Sequence, residues 1–263
     1  MQTKGRDTGP WRAIAVAVAL AGASLMGACG SGATRDAAET NGGGAPGDSG
    51  RAAVVGENTP AGPSGAPTSA APASGAPRVV LLGTSLTAGL GLPPEQAYPA
   101  LLQEKADSAG IGVRIVNAGL SGETSAGALR RAAWVLDQPA ALVVLEVGAN
   151  DGLRGVDPDT TFANLVKLVE TVKARQPAAR LALVQMEAPT NLGPAYTRRF
   201  HEAYGRAAKQ TGIPLWPFLL DGVAGVARLN QGDGIHPNAV GAQIVATTVW
   251  KAMEPALREL ATP

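Results

Sequence analysis

The chain has 263 residues, of which 45% are hydrophobic and 16% charged, and its formal net charge is +1. This length and composition suffice for one substantial globular core, and the near-neutral charge gives no sign of a nucleic-acid-binding protein. A single cysteine excludes an internal disulfide.

The first segment, residues 1–28, predicts an export signal. Three basic residues, Lys4, Arg6 and Arg12, precede an apolar, alanine-rich run from Ala13 to Met26. That run is short for a membrane-spanning helix and has the layout of a signal peptide. We therefore expect the protein to be exported.

Cys29 directly follows the residues Leu-Met-Gly-Ala at positions 25–28. This arrangement resembles a bacterial lipobox, in which the cysteine becomes the lipid-modified first residue of the mature chain, although Met26 is less usual at its position. The resemblance implies a lipid anchor on Cys29 that holds the protein to a bacterial membrane, on its periplasmic or outer face. The alternative is an ordinary signal cleaved near Ala28, with a cysteine that has no special role.

From Gly30 to Pro77 the sequence is dominated by Gly, Ala, Pro, Ser and Thr and lacks sustained apolar periodicity. Such a segment cannot bury enough apolar surface to offset the entropy cost of ordering. We predict that residues 29–77 form a disordered tether behind Cys29, with an end-to-end distance on the order of 40 Å for a random coil. The folded domain should then occupy residues 78–263.

Short apolar runs recur along this domain and predict buried strands. They lie at residues 78–82, 113–116, 141–147, 180–186 and, more weakly, 213–217. Longer segments with helical spacing lie between them. The clearest begins at Asp157-Pro158, a capping residue and a proline at the first helical position, and ends before Pro177.

The alternation of strands and helices predicts an α/β fold with a parallel sheet covered on both faces, because parallel strands need long crossover connections. In such folds ligands bind beyond the carboxyl ends of the strands. Three polar segments follow the first three predicted strands and should meet at that edge. They lie at residues 83–86, 117–124 and 148–151.

Ser85 is the leading candidate for a nucleophile, because it lies at a strand-to-helix turn where its own N–H can face the oxyanion that its attack creates. The alternative is that Thr84 or Ser85 simply caps the next helix. Ser121 is a second contender, but Glu123 interrupts the Gly-x-Ser-x-Gly elbow of the α/β-hydrolases. Gly122 more plausibly offers a backbone N–H, since glycine allows close approach to a ligand.

The remaining candidates are an amide and one of the two histidines in the chain. Asn150 offers a side-chain donor, or is a plain turn former. His236 follows Asp233 on a short loop, where the acid can fix the tautomer of the ring and stabilise its charged form. His236 is therefore the candidate base, the alternative being an incidental histidine before a helix. We expect His201 on a partly solvated helix, at the surface or at a boundary.

Together these residues resemble a known family. The blocks occur in the order and contexts of the SGNH hydrolases, also called the GDSL esterase/lipase family: Gly83-Thr84-Ser85-Leu86, Gly122, Asn150 and Asp233-x-x-His236. The resemblance runs from about Arg78 to Leu260. More narrowly, residues 117–125, 148–155 and 233–238 resemble the bacterial periplasmic arylesterase, thioesterase and lysophospholipase branch.

The resemblance implies a flavodoxin-like three-layer α/β/α sandwich with about five parallel strands. It also implies a catalytic triad of Ser85, His236 and Asp233. The oxyanion hole would comprise the backbone N–H groups of Ser85 and Gly122 and the side-chain amide of Asn150. Thr84 departs from the family's name motif, which has aspartate there. Because that acid is not part of the triad, we expect the change to alter hydrogen bonding around the turn rather than abolish the chemistry.

The expected function is hydrolysis of a small acyl ester, or of a thioester or lysophospholipid, without a metal or organic cofactor. Two alternatives stay open, a carbohydrate O-acetyl esterase and a non-catalytic lipoprotein that binds acyl chains or glycans. The retained Ser, Gly, Asn, Asp and His residues argue against the second. The sequence predicts neither the acyl-chain length nor the oligomeric state.

Overall fold

The computed structural model describes residues 75–261, so the predicted signal segment, Cys29 and all of the tether up to residue 74 lie outside the described residues. Within the described range, five strands and seven α-helices follow one another along the chain. They are β1 Arg78–Gly83, α1 Ser85–Ala88, α2 Tyr98–Ser108, β2 Arg114–Gly119, α3 Ser125–Val135, β3 Leu142–Glu146, α4 Ala149–Leu153, α5 Pro158–Arg175, β4 Arg180–Val184, α6 Pro194–Thr211, β5 Leu215–Trp216 and α7 Ala239–Ala261.

The strands form one parallel sheet in the order β2-β1-β3-β4-β5, which confirms the predicted fold class. Every residue of β3 is buried, as expected for a strand covered on both faces. The fifth strand is shorter than the predicted run 213–217. Pro214 and Pro217 flank it, and proline has no N–H to contribute to the ladder.

The helices form two layers. The chain steps from β1 to β2 in one direction and through all later strands in the other, so right-handed crossovers place α2 on one face and α3, α5 and α6 on the opposite face. α5 packs against both α3 and α6, while α7 packs against α2. The sheet is thus enclosed between two helical layers, as predicted.

Helix α5 shows how the sequence fixes one of these layers. Asp157 caps it by accepting a hydrogen bond from the Asp159 N–H at 2.8 Å, and Pro158 takes the first helical position. Its inward stripe, which includes Leu165, Leu168 and Val172, is fully buried. Burial of one such side chain contributes about 1.5–3 kcal/mol.

The strand register brings the post-strand segments together at one edge. Gly83, the last residue of β1, pairs with Gly119 of β2 on one side and with Glu146 of β3 on the other. Residues 84–86, 120–124 and 147–151 therefore emerge side by side at the carboxyl edge of the sheet. Among residues 75–261, no helix combines the length and hydropathy needed to cross a bilayer.

Candidate active site

The structure brings Ser85, His236 and Asp233 into one hydrogen-bonded chain. His236 Nε2 lies 2.9 Å from Ser85 Oγ, and His236 Nδ1 lies 2.6 Å from Asp233 Oδ2. Ser85 opens α1 directly after β1, whereas the other two residues lie in the loop before α7. In this arrangement an imidazole can accept the hydroxyl proton while a carboxylate holds its other nitrogen.

The loop before α7 holds the acid and the histidine in a fixed relation. The Asp233 Oδ1 accepts hydrogen bonds from the backbone N–H groups of Ile235 at 2.9 Å and His236 at 3.0 Å. The Gln231 N–H donates to the His236 carbonyl at 2.7 Å. Asn238 accepts from the first N–H groups of α7 and so ties the loop to the helix that follows. The Asp-x-x-His spacing is therefore a compact turn.

The Asp233 carboxyl has a pKa below its ordinary value. Partial burial raises its pKa, but hydrogen bonds from the His236 ring and from the backbone N–H groups of His236 and Ile235 outweigh that effect. Asp233 is consequently ionised throughout the neutral pH range. An ionised acid at this position can stabilise an imidazolium on His236.

At the other end of this chain of contacts, Ser85 occupies the first turn of α1 and is 8% exposed. Thr84 caps this helix, since its Oγ1 accepts a hydrogen bond from the Leu86 N–H at 3.5 Å. The helix ends where Gly89 and Leu90 both donate to the Ser85 carbonyl at 3.0 Å. Thr84 therefore performs the capping role, and the Ser85 hydroxyl is left to contact His236.

Asn150 and Gly122 lie on neighbouring segments that contact each other. The Asn150 side chain donates from Nδ2 to the Glu123 carbonyl at 3.0 Å, which links α4 to the residue after Gly122. Gly122 has a φ of 78°, in the left-handed region that favours glycine. Arg154 Nη2 donates to the Gly122 carbonyl at 2.9 Å and so fixes the orientation of that peptide group.

Comparison with known proteins identifies the family. A profile of the GDSL-like Lipase/Acylhydrolase family matches residues 81–244. The chain belongs to this family. The predicted resemblance is thereby confirmed, and with it the prediction that the protein is an enzyme of the GDSL/SGNH hydrolase class.

Named relatives and solved structures agree with this assignment. The chain is 41% identical over 180 residues to Esterase TesA of Pseudomonas aeruginosa, covering 68% of this chain and 89% of that protein. It is 36% identical over 184 residues to Thioesterase 1/protease 1/lysophospholipase L1 of Escherichia coli K12, covering 70% and 86%. A crystal structure of TesA superposes with a TM-score of 0.65 at 39% identity, covering 68% of this chain and 99% of that one. The psychrotrophic esterase EstA from Pseudoalteromonas sp. also gives 0.65, at 34% identity and 69% and 98% coverage.

In this GDSL-family chain, two of the residues considered from the sequence form no hydrogen bond with Ser85, His236 or Asp233 within residues 75–261. Ser121 is exposed, and no histidine is hydrogen-bonded to it within that range. His201 lies on α6 with its side chain 60% exposed, and its Nδ1 is 2.6 Å from Glu187 Oε1. The prediction of a surface position for His201 is confirmed.

Glu123, which interrupts the Gly-x-Ser-x-Gly pattern, has a structural partner. Its carboxylate pairs with Arg131 Nε at 2.6 Å, and both side chains are largely buried. The same guanidinium donates to the carbonyls of Ala118 at 2.8 Å and Gly83 at 3.1 Å. Arg131 thereby joins the ends of β1 and β2 beneath the Ser85 turn.

A buried acid that was not predicted from the sequence lies next to the Ser85 turn. Glu146, the last residue of β3, is fully buried and accepts hydrogen bonds from the backbone N–H and the hydroxyl of Thr84. Burial raises the Glu146 pKa to about 7, although hydrogen bonds from Thr84 and Thr87 oppose the shift. The available signal was a glutamate inside the apolar run 141–147, where an ionisable residue requires partners.

A small apolar cleft lies beside the contact between Ser85 and His236. Its walls come from α1, the loop after β5 and α7, and include Leu86, Leu219 and Val245. Its cavity volume is about 10 Å³, which is room for roughly one water molecule. Leu90, at the rim, is 47% exposed.

Proposed function

We propose that the protein is a serine esterase that hydrolyses carboxylic esters, with Ser85 as nucleophile, His236 as general base and Asp233 as its partner. The observation that carries this proposal is the 2.9 Å contact between His236 Nε2 and Ser85 Oγ, in a chain of the GDSL family. The 2.6 Å contact between His236 Nδ1 and Asp233 supports it further.

The reaction would proceed through an acyl-enzyme. Ser85 Oγ attacks the carbonyl carbon of the ester while its proton passes to His236 Nε2, and Asp233 stabilises the resulting imidazolium. The tetrahedral intermediate expels the alcohol or thiol, which takes the proton from His236. Water then attacks the acyl group with His236 again as the base, releasing the carboxylic acid and restoring Ser85.

The oxyanion would be held by the backbone N–H groups of Ser85 and Gly122 and by the amide of Asn150. A primary amide carries two N–H donors, and the Glu123 carbonyl occupies one of those on Asn150. The other donor can serve the oxyanion. Anchoring of Asn150 by the Glu123 carbonyl supports a side-chain donor that is already oriented before the reaction.

The substrate class rests on the relatives. The names esterase and thioesterase/lysophospholipase among them favour acyl esters, thioesters or lysophospholipids. A carbohydrate O-acetyl esterase is the second candidate, because the apolar cleft beside Ser85 is small and gives no space to a long acyl chain in this conformation. A non-catalytic binding protein would have no need of a serine hydroxyl bonded to a histidine.

The cellular setting rests on the sequence. Residues 1–28 act as a lipoprotein signal, Cys29 carries the lipid, and residues up to 77 form the tether of an enzyme domain at 78–263. The protein would then act at the bacterial cell envelope, held to a membrane through Cys29.

The test compares purified wild-type protein with a Ser85→Ala variant on p-nitrophenyl acetate, butyrate, octanoate and palmitate, on lysophosphatidylcholine and on acetylated oligosaccharides. Loss of the nucleophile should lower kcat by about 10⁴- to 10⁶-fold. Circular dichroism of both proteins serves as the control for folding. Wild-type rates in the variant would overturn the nucleophile assignment, and Ser85-dependent activity confined to acetylated sugars would favour the second candidate.

A further inference from the structure

The buried carboxylate of Glu146 accepts hydrogen bonds from residues on both sides of Ser85 in the sequence. Its Oε2 accepts hydrogen bonds from the Thr84 backbone N–H at 2.8 Å and from the Thr87 hydroxyl at 2.7 Å. Its Oε1 accepts from the Thr84 hydroxyl at 3.0 Å. Thr84 immediately precedes Ser85, and Thr87 follows it by two residues within α1. Three donors that surround Ser85 thus converge on one side chain of β3.

The fold keeps space for this carboxylate. A Cβ at position 83 would lie 2.6 Å from Glu146 Oε2 and 2.0 Å from Thr87 Oγ1, so the close approach requires the glycine present there. Tyr98 of α2 closes the far side through a 2.7 Å hydrogen bond between its hydroxyl and that of Thr87. Glu146, Thr84 and Thr87 are all fully buried. The network is therefore isolated from solvent.

We propose that Glu146 is a positioning residue for Ser85, which orients the nucleophile through Thr84 and Thr87 and adjusts turnover through its own charge state. This inference rests on the proposed function of Ser85. Glu146 touches neither the Ser85 hydroxyl nor His236 in the described contacts, so it acts through the turn.

The charge of Glu146 matters because all its partners are donors. An ionised carboxylate accepts from all three at once, whereas a protonated carboxyl turns one oxygen into a donor and must break or rearrange one of these bonds. Since Thr84 is covalently joined to Ser85, a shift of Thr84 displaces the nucleophile. A displacement of 1 Å can cost about 10²-fold in rate.

The charge state changes near neutral pH. Burial raises the Glu146 pKa to about 7. The titratable groups that face it are Tyr98 of α2 and Tyr204 of α6, and burial raises the pKa of both phenols, so they stay neutral. On the α3 side, Arg131 reaches the Gly83 carbonyl and is paired with Glu123. Glu146 therefore changes charge among neutral or already paired neighbours.

The test is the isosteric variant Glu146→Gln, assayed beside the wild type and Ser85→Ala from pH 5 to 9. Because the amide carries no charge and has an N–H donor, it imitates the protonated carboxyl. We expect kcat at pH 8 to fall about tenfold, while KM changes by less than about twofold. The wild-type profile should show an additional step near pH 7, and the variant should lack that step.

A pair of substitutions at position 84 tests the Thr84 hydroxyl, which donates to Glu146 and also caps α1, and a double variant isolates the contact with Glu146. Thr84→Val keeps the shape but removes the hydroxyl, whereas Thr84→Ser keeps the hydroxyl. Thr84→Val should lower kcat, whereas Thr84→Ser should keep kcat near the wild-type value. Combining Thr84→Val with Glu146→Gln should cost less than the sum of the single effects, because both remove the same interaction.

Each outcome decides between the two proposals. Turnover that survives in Ser85→Ala would overturn the proposed nucleophile. Ser85-dependent turnover with the same pH profile in wild type and Glu146→Gln would overturn the positioning role alone. If the glutamine variant fails to fold, Thr87→Val provides the same measurement at the other partner of the carboxylate. An unchanged kcat in Thr87→Val together with unchanged values in both Thr84 variants would then contradict the role.

Discussion

Two carboxyl groups reach Ser85 by different routes, and their surroundings move their pKa values in opposite directions. Asp233 contacts His236, its side chain is 45% exposed, and hydrogen bonds from the histidine ring and two backbone N–H groups lower its pKa. Glu146 contacts Thr84, is fully buried, and has a pKa raised to about 7. Both groups accept several hydrogen bonds, so the number of bonds does not explain the difference.

The difference lies in desolvation and in the partner. Asp233 keeps contact with water and faces a ring that becomes cationic during the proposed reaction, which favours the ionised form. Glu146 has no water contact and its nearest partners are neutral hydroxyls and an amide, which cannot fully replace the lost hydration. One acid is thus suited to constant charge, and the other to a charge that varies near neutral pH.

Among substitutions of the two acids, the largest effect on turnover should come from Asp233→Asn, which replaces the solvent-exposed acid. The amide cannot stabilise an imidazolium and favours the wrong tautomer of His236, so we expect kcat to fall by about 10⁴-fold. The measurement is kcat and KM on p-nitrophenyl butyrate at pH 8, with thermal unfolding as the control. A loss of less than tenfold would mean that the constant charge assigned to Asp233 is not needed.

The second prediction concerns Asn150, whose position in the sequence lies between those of the two acids. Asn150→Ala removes its side-chain amide. Removal of this proposed oxyanion donor should lower kcat by about 10²- to 10³-fold with a smaller change in KM. Asn164→Ala is the matched control, because that amide donates to Ser125 Oγ at 3.0 Å and is not proposed to touch substrate. Similar losses in both variants would indicate a packing effect instead.

On the buried side, Glu146→Gln should change the pH dependence of stability. The folded pKa of about 7 exceeds the ordinary value of 4.5, so the folded state retains a proton that the unfolded state has lost between these values. The free energy of unfolding should therefore fall as pH rises from 4.5 to 7, by about 3 kcal/mol for this group. The variant should lack this component.

Urea unfolding of the wild type and Glu146→Gln at pH 4.5 and pH 8 measures this pH dependence of the free energy of unfolding. Any cost of placing an amide among three donors applies at both pH values and cancels in the comparison. Equal pH dependence in wild type and variant would show that Glu146 keeps one charge state throughout, and would remove the contrast with Asp233.

The sequence and the family resemblance led to Ser85, His236 and the parallel sheet, but not to Glu146. A glutamate within an apolar run signals a buried acid, yet its partners depend on register: Gly83 pairs with Glu146 only because β3 lies beside β1. Spacing along the chain does not encode that pairing. Similarly, β2 continues to Gly119 because it pairs with β1, although its last three residues, Asn-Ala-Gly, do not extend the apolar run.

The smallest effect should come from His201→Ala, which tests whether an acid–histidine contact alone marks the site. The 2.6 Å contact between His201 Nδ1 and Glu187 matches that between His236 Nδ1 and Asp233. The two rings differ in burial, since the His201 side chain is 60% exposed and that of His236 only 16%. They also differ at Nε2, which in His236 lies within hydrogen-bonding distance of Ser85 Oγ. Because no described hydrogen bond links the exposed His201 side chain to Ser85 or Asp233, kcat/KM of His201→Ala should stay within about twofold of wild type. A tenfold loss of kcat/KM in a folded His201→Ala variant would show that the active site extends to α6. Burial and the contact with serine would then not be what distinguishes the two histidines.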